Sequence, residues 1–204
     1  MKKFNVYQIT SLILIIVVLV LIFKDDKNMC NPKDTTLEVI HNRKSVRKYI
    51  DRPVSKEDLT TLVKAGMAAP SAKNVQPWAF VIVTERESLD GLAEKLPFAK
   101  MLKNAPAAIA VCGDLTKSKE PQASLWYLDC SAATQNILLA AESMGLGAVW
   151  TAAYPYKERV QPIQEILGMP ETTIPLCVIP IGYSDGTEQA KNKWKEENVK
   201  WEKW

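Results

Sequence analysis

The apolar positions of this chain fall into helical repeats and short continuous runs that are separated by polar breaks. The repeats predict helices over residues 37–43, 55–66, 88–96, 123–144 and 157–167. The spacing of Ser55 and Asp58 is typical of a helix cap, and Gly145 suits the end of the longest helix. The continuous runs predict strands over residues 78–84, 107–112, 148–152 and 176–181. Apolar strands that alternate with helices predict a central sheet covered by helices on both faces.

The first 27 residues differ from the rest because residues 6–23 are almost entirely apolar and carry no charge. This segment is near the length that crosses a bilayer, and two lysines precede it. No small-residue cleavage site follows, so residues 1–27 are predicted to be an uncleaved signal anchor, with a cleaved signal peptide as the alternative. We therefore expect a membrane-anchored protein whose domain, residues 37–204, lies on the exported side after a polar linker over 28–36.

Composition excludes several classes of function. The chain of 204 residues has one histidine, His41, which is too few for a histidine metal cluster, and we expect His41 to be structural. A net charge of +3, with basic residues scattered among acidic ones, does not indicate a nucleic-acid surface. The four cysteines show no CxxC spacing, and Cys112 and Cys177 lie in apolar runs, which predicts buried thiols rather than zinc ligands or disulfides.

A polar stretch, AAPSAKNVQPWAF, occupies residues 68–80 directly before a predicted strand. Its amides, Asn74 and Gln76, can both donate and accept hydrogen bonds, and its prolines stiffen the backbone. Such a loop suits a ligand whose edge alternates donors and acceptors. Lys73 is expected to be solvated and Trp78 to belong to the core.

Two further clusters carry positive charge. Arg43, Ser45 and Arg47 alternate, so in an extended segment their side chains point the same way and can hold a phosphate ester. Lys191 and Lys193 follow the last predicted strand. Taken singly, each cluster is equally compatible with a solvated basic surface.

Together, the segments RKSVR, PSAKNVQPW, GLGAVWTAAYP and IPIGY…KNKW have the order and spacing of one family. Over residues 37–204 the chain resembles the nitroreductase family of FMN-dependent oxidoreductases. The resemblance implies an α+β fold, with a central mixed sheet flanked by helices, and a homodimer with FMN at each interface. It also implies ping-pong transfer of hydride from NAD(P)H to small acceptors such as nitroaromatics or quinones. Because the flavin carries this chemistry, no catalytic side chain is expected.

The resemblance further implies which residues hold FMN. In the family's arrangement Arg43, Ser45 and Arg47 hold the phosphate and ribityl chain, with one cation near the flavin N1–C2 edge. The loop is expected to come from the partner chain at Pro70 and Ser71. The full implied set is Arg43, Lys44, Ser45, Arg47, Pro70, Ser71, Ala72, Asn74, Gln76, Thr151, Ala152, Lys191 and Lys193.

Within that set, three details follow from the family pattern. Asn74 bonds the polar edge of the flavin ring with Gln76 nearby. The backbone of Thr151 and Ala152 lies beside the N5–O4 edge. The family commonly has arginine at the position of Lys193, and lysine keeps the charge but loses the bidentate fork.

Three alternatives remain open. Membrane-anchored relatives include the iodotyrosine deiodinases, which are reductive dehalogenases, but residues 85–106 lack the Glu-Tyr-Lys set of their substrate lid. A catalytically silent flavin-binding module is a second alternative, although such a module has no need to keep every cofactor cluster. The third is an interaction protein whose tail tryptophans, Trp194, Trp201 and Trp204, bury against a partner subunit.

Overall fold

The structure is a computed structural model that describes residues 32–117 and 122–204. By its internal contacts the chain divides into a unit of residues 1–38 and a unit of residues 39–204. The helices are α1 (Pro32–Asn42), α2 (Lys56–Met67), α3 (Arg86–Lys95), α4 (Trp126–Ser143) and α5 (Lys157–Leu167). The strands are β1 (Trp78–Val83), β2 (Ala107–Asp114), β3 (Gly147–Ala148), β4 (Thr151–Ala152) and β5 (Thr173–Gly182).

The strands form one sheet in the order β1-β2-β5-β3, with β4 also paired to β5. The ladders between these strands are antiparallel, and a parallel bridge joins Ser45 to Ala148 beside β3. The two central strands, β2 and β5, are buried along almost their whole length, which explains why they are apolar at successive positions. The predicted α+β class, with a central sheet flanked by helices, is confirmed.

Side chains of β2 alternate between two separate hydrophobic clusters. Ile109 and Val111 belong to a cluster with residues of α2 and α4, including Leu62 and Ile137. Ala108, Ala110 and Cys112 of β2 instead join a cluster with residues of α3 and α5 on the other side. This alternation is the period-2 geometry of a strand, and it places a pair of helices against each face of the sheet.

Most helix boundaries match the sequence pattern. The Ser55 hydroxyl accepts the N–H of Asp58 at 3.0 Å, which confirms the predicted cap. Gly145, at φ 70°, lies directly beyond the end of α4. Helix α1 begins at Pro32, earlier than the predicted start at Leu37 and inside the segment expected to be a linker.

The predicted strand over residues 148–152 is interrupted and forms β3 and β4. Both strands pair with β5 in one continuous register, and the register leaves Val149 opposite Pro180. Proline has no backbone N–H to donate, so the ladder is weakened at this position. The interruption leaves Val149 and Trp150 between the two short strands, where Trp150 is only partly buried.

The predicted membrane-anchored location does not stand. No helix within residues 32–117 and 122–204 is long and apolar enough to cross a membrane. The segment on which that prediction rested, residues 6–23 of the expected anchor 1–27, lies outside the described residues.

The predicted burial of apolar-run cysteines is confirmed. Cys112 and Cys177 are completely buried, and so is Cys130 on α4. Burial raises the pKa of the Cys130 and Cys177 thiols to about 12, so both are neutral at physiological pH. Trp78, expected in the core, is also buried, whereas Lys73 is exposed as expected.

Candidate functional site

The basic segment 43–47 runs along the edge of β3. Val46 donates its N–H to the carbonyl of Ala148 at 3.0 Å, and its side chain is buried. Because side chains alternate in extended backbone, Ser45 and Arg47 point away from the core into which Val46 inserts. A Cβ on Gly147 would lie 2.5 Å from Val46 Cγ1, so only glycine allows this close approach.

The chain after β5 lies beside the same segment. Ile50 donates its N–H to the Tyr183 carbonyl at 2.9 Å. The Glu188 carboxylate accepts the N–H groups of Arg47 and Lys48 at 2.8 and 3.2 Å. These contacts hold the two segments together. Lys191 and Lys193 come three and five residues after Glu188 in the chain.

Tyr49 fixes the segment from the other side. Its hydroxyl donates to the Val46 carbonyl at 2.8 Å and lies 3.2 Å from the Pro180 carbonyl. Burial raises the pKa of this hydroxyl well above its usual range, with a further contribution from Glu188. Tyr49 is therefore a neutral donor that joins the segment to the central strand β5.

These segments enclose a cavity of about 400 Å³, which we call the anion cavity. Its basic and hydroxyl side chains are Arg43, Lys44, Ser45, Arg47, Lys191 and Lys193, and Glu188 is the acidic side chain among them. Lys44 differs from the other cations because its Nζ lies 3.0 Å from a carboxylate oxygen of Glu142. The excess of positive charge, with a hydroxyl beside it, suits a phosphate monoester.

A second cavity of about 510 Å³ lies next to the first and shares Arg47 with it. We call it the aromatic cavity, and its other lining residues include Phe98, Lys100, Trp150, Thr151, Ala152 and Arg159. The Thr151 hydroxyl donates to the Val178 carbonyl, so it is engaged in the sheet. Arg159 donates from Nη1 to the Ala152 carbonyl at 3.3 Å.

The loop over residues 70–76 is held in an unusual backbone conformation. Lys73, Asn74 and Gln76 have φ angles of 49°, 56° and 53°, although none is glycine. The Gln76 N–H binds the Ser71 hydroxyl at 2.9 Å, and its side-chain amide binds Asn74 Oδ1 at 2.9 Å. Non-glycine residues in this region cost energy, and such conformations cluster at functional sites.

The structure divides the predicted site residues into three places. Six line the anion cavity: Arg43, Lys44, Ser45, Arg47, Lys191 and Lys193. Arg47, Thr151 and Ala152 line the aromatic cavity. The loop residues line neither of these cavities: Pro70, Ser71, Ala72, Asn74 and Gln76.

The loop and the anion cavity belong to opposite ends of the sheet. The loop leads into Trp78, which pairs with Gly113 of β2. Ser45 of the anion cavity pairs with Ala148, and Ala148 pairs with Ile181 of β5. Ile181 also pairs with Ala107, which lies at the other end of β2. At the usual rise per strand residue, these two ends of β2 are about 20 Å apart. A single chain therefore keeps the two groups of predicted residues apart.

Several lining residues of the two cavities were not predicted, and four of them bear on the chemistry: Glu188, Arg159, Phe98 and Lys100. Glu188 was hidden in a mixed-charge stretch, where only its position three residues before Lys191 linked it to the basic cluster. Arg159 is one of several polar residues on α5, and nothing in its spacing marks it. Phe98 and Lys100 lie in the segment that showed no substrate-binding pattern, yet both reach the aromatic cavity.

Comparison with known proteins agrees with the resemblance. The model of the nitroreductase family matches residues 40–97 and 90–183. One similar crystal structure is that of a protein from Parabacteroides distasonis, provisionally named an NADH dehydrogenase/NAD(P)H nitroreductase. The two sequences are 56% identical and the TM-score is 0.79, and the match covers 83% of this chain and 98% of that chain. A protein of the same provisional name from Archaeoglobus fulgidus is 44% identical over 171 residues, 82% of this chain and 98% of the other. An FMN-dependent nitroreductase from Clostridium difficile is 32% identical, with a TM-score of 0.76, over 82% of this chain and 99% of that chain.

Proposed function

Because this chain belongs to the nitroreductase family and is an FMN-dependent NAD(P)H oxidoreductase, we propose that it reduces nitroaromatics and quinones in a ping-pong reaction. In the quinone case, NAD(P)H supplies a hydride and solvent supplies a proton, which yields NAD(P)⁺ and the quinol. The observation that carries the proposal is that Arg47 lines both the anion cavity and the aromatic cavity. A molecule with a phosphate at one end and a planar ring at the other can therefore span the two.

The phosphate of FMN is assigned to the anion cavity. Arg43, Arg47, Lys191 and Lys193 supply positive charge there, and the Ser45 hydroxyl can donate to a phosphate or ribityl oxygen. Lys44 contributes less, because its ammonium group is already paired with Glu142. The chemistry of this donor set matches the cofactor, which supports the assignment.

The flavin ring is assigned to the aromatic cavity beside Thr151 and Ala152. Since the Thr151 hydroxyl is engaged with Val178, contact between this residue and the ring falls to the backbone. Arg47, which lines both cavities, would supply a fixed positive charge near the ring, and such a charge would favour electron uptake by the flavin.

The chain's own role is to bind, orient and shield, because FMN supplies the hydride chemistry when bound. Phe98 and Trp150 give donor and acceptor an apolar surface in the aromatic cavity. In this proposal both reactants use this one cavity, so the first product leaves before the second reactant enters, which is the order of a ping-pong mechanism.

We also propose that the active form is a homodimer in which the loop 70–76 of one chain completes the site of the other. The loop leads into one end of β2, and the anion cavity lies beside the other end, about 20 Å away along that strand. Exposed apolar side chains at the start of α4, among them Tyr127 and Leu128, provide a surface for a second copy. The exposed tail residues Trp194, Trp201 and Trp204 add to that surface.

The dimer is tested by light scattering of the full-length protein and of a form truncated after Lys193. We expect the full-length protein to be a dimer. Removal of the tail tryptophans should raise the dissociation constant of that dimer. A full-length monomer would contradict the dimer, and an equally stable truncated dimer would contradict the role of the tail.

Two-substrate steady-state kinetics test the proposed function. Menadione or a nitroarene is varied at several fixed concentrations of NADH, and then of NADPH. The proposal predicts parallel double-reciprocal lines with at least one nucleotide, and free FMN without protein serves as the control. Intersecting lines would contradict the ping-pong order, and turnover of neither acceptor class with either nucleotide would contradict the substrates.

A further inference from the structure

The outer wall of the aromatic cavity carries positive charge that the ring of a flavin does not require. Arg159 lies there with its guanidinium 4.0 Å from the centre of the Tyr156 ring and 5.4 Å from that of Phe98. Its Nη1 donates to the Ala152 carbonyl, whereas its Nε is buried and has no hydrogen-bond partner among the described residues. Arg159 is therefore held by one hydrogen bond and two ring contacts, and its five donors are not all used within the described residues.

The charges around Arg159 are of one sign. Lys100 and Arg47 line the same cavity, and none of its lining residues within 32–117 and 122–204 is acidic. Arg159 also forms no ion pair in the part of the chain that the structure describes. Two cations without an acidic partner, Lys100 and Arg159, attract an anion together with Arg47, and the arginine fork suits a carboxylate or phosphate oxygen pair.

The same wall offers an aromatic surface. Phe98 is 70% exposed, but its neighbour Ala99 and the following Leu102 are fully buried, which anchors the segment that carries it. Trp150 lines the cavity between β3 and β4. A planar ring can therefore pack beside the cations rather than in open solvent.

We propose that Arg159, assisted by Lys100, selects reactants that carry an anionic oxygen group, and this inference rests on the proposed function of the cavity. Two sources of that group fit the same chemistry: a carboxylate on the ring of the acceptor, or the 2′-phosphate of NADPH. In either case Arg159 is a specificity residue that touches the reactant and takes no proton or electron.

The test compares charge-matched reactants with the full-length holoenzyme and an Arg159→Gln variant. The acceptors are 4-nitrobenzoate and the neutral 4-nitrobenzamide, and the donors are NADPH and NADH. Because kcat/KM for donor and acceptor is measured separately in a ping-pong reaction, the two sources give different results. Loss of one charged hydrogen-bond partner predicts a fall of about 10-fold for the anionic member of the affected pair.

A selective fall for 4-nitrobenzoate would assign the anionic group to the acceptor, and a selective fall for NADPH would assign it to the donor. Arg159→Lys is expected to restore part of the selectivity, since it keeps the charge and loses the fork. Lys157→Gln removes a charge from the same turn of α5 outside the cavity, and we expect it to leave both ratios unchanged. An equal loss of kcat/KM for all four reactants would show that Arg159 has a merely structural role, and it would overturn the inference. Unchanged kcat/KM for all four reactants would also overturn it.

Calorimetric binding separates this inference from the proposed function. If the wild-type protein turns over none of these reactants, the proposed function fails, but binding of the four compounds to the FMN-loaded and FMN-free protein can still be measured. The inference predicts that the anionic member binds more tightly in at least one pair, 4-nitrobenzoate over 4-nitrobenzamide or NADPH over NADH, and that Arg159→Gln removes the difference. Equal affinities within both pairs, or binding of none of the four compounds, would overturn it.

Discussion

The two cavities meet at Arg47 but differ in how their positive charge is balanced. In the anion cavity Glu188 faces the basic side chains, and Lys44 is already paired with Glu142. In the aromatic cavity Lys100 and Arg159 have no acidic lining residue beside them within the described chain. On the proposed function, the partly neutralised anion cavity would hold the resident cofactor, and the unbalanced charge of the aromatic cavity would face a reactant that binds and leaves.

Removal of Arg47 should have the largest effect, because this residue belongs to both cavities. For Arg47→Gln we expect FMN affinity to fall by about 10- to 100-fold, as for loss of hydrogen bonds to a charged group. Fluorescence titration of free FMN measures the change. Arg52→Gln is the matched control, since Arg52 lies over the Tyr183 ring and lines neither cavity. Equal affinities for the two variants would contradict the shared role of Arg47.

A change at Gly147 should damage the anion cavity before the aromatic one. In Gly147→Ala the new Cβ meets Val46 Cγ1 at 2.5 Å, so the segment 43–47 must shift. We expect the free energy of unfolding to fall by about 1–3 kcal/mol, measured in urea, and FMN affinity to fall with it. Gly91→Ala is the control, because its Cβ would lie at an ordinary 3.5 Å from Ile166. If both variants had the same free energy of unfolding, the close packing of Val46 on Gly147 would not contribute to stability as proposed.

The loop 70–76 tests whether a third region completes the two cavities. Asn74→Gly keeps the positive φ of 56° and removes the amide, so stability should hold while FMN affinity falls by about 10-fold. Lys73→Gly makes the same backbone change at φ 49° and should leave FMN affinity unchanged. If the two substitutions had the same effect on FMN, the Asn74 amide would have no place in the site.

The smallest effect is expected at Glu188, where the charge balance of the anion cavity can be changed directly. Glu188→Gln keeps an oxygen for the N–H groups of Arg47 and Lys48 but removes a negative charge beside the phosphate. We expect FMN to bind about 3-fold more tightly at low salt, with the gain reduced as ionic strength rises. Asp185→Asn removes a charge from the same tail outside the cavity. Weaker FMN binding by Glu188→Gln would mean that the carboxylate is needed as such.

The basic segment 43–47 of the anion cavity was predictable from the sequence because its geometry is local. Alternation of Arg43, Ser45 and Arg47 in extended backbone is sufficient to place them on one side. The pairing of this segment with residues 183–188 was not predictable, because it depends on contacts between residues 130 or more positions apart. That pairing is what brings Glu188 into the cavity.

The aromatic cavity was mostly beyond prediction, for two physical reasons. Its wall combines the segment 97–101, the break between β3 and β4, and the first turn of α5, and no sequence pattern indicates that these three come together. The break itself depends on Pro180 in a neighbouring strand. The positive φ angles at Lys73, Asn74 and Gln76 were also not predictable, because none of these residues is glycine.

Anaerobic absorption spectroscopy of the purified full-length protein tests the central claim most directly. The account predicts a bound flavin whose visible absorbance is lost on addition of NADH or NADPH and returns when menadione is added. A protein that neither contains flavin nor takes up FMN on reconstitution would contradict the account. So would a bound flavin that neither nucleotide can reduce.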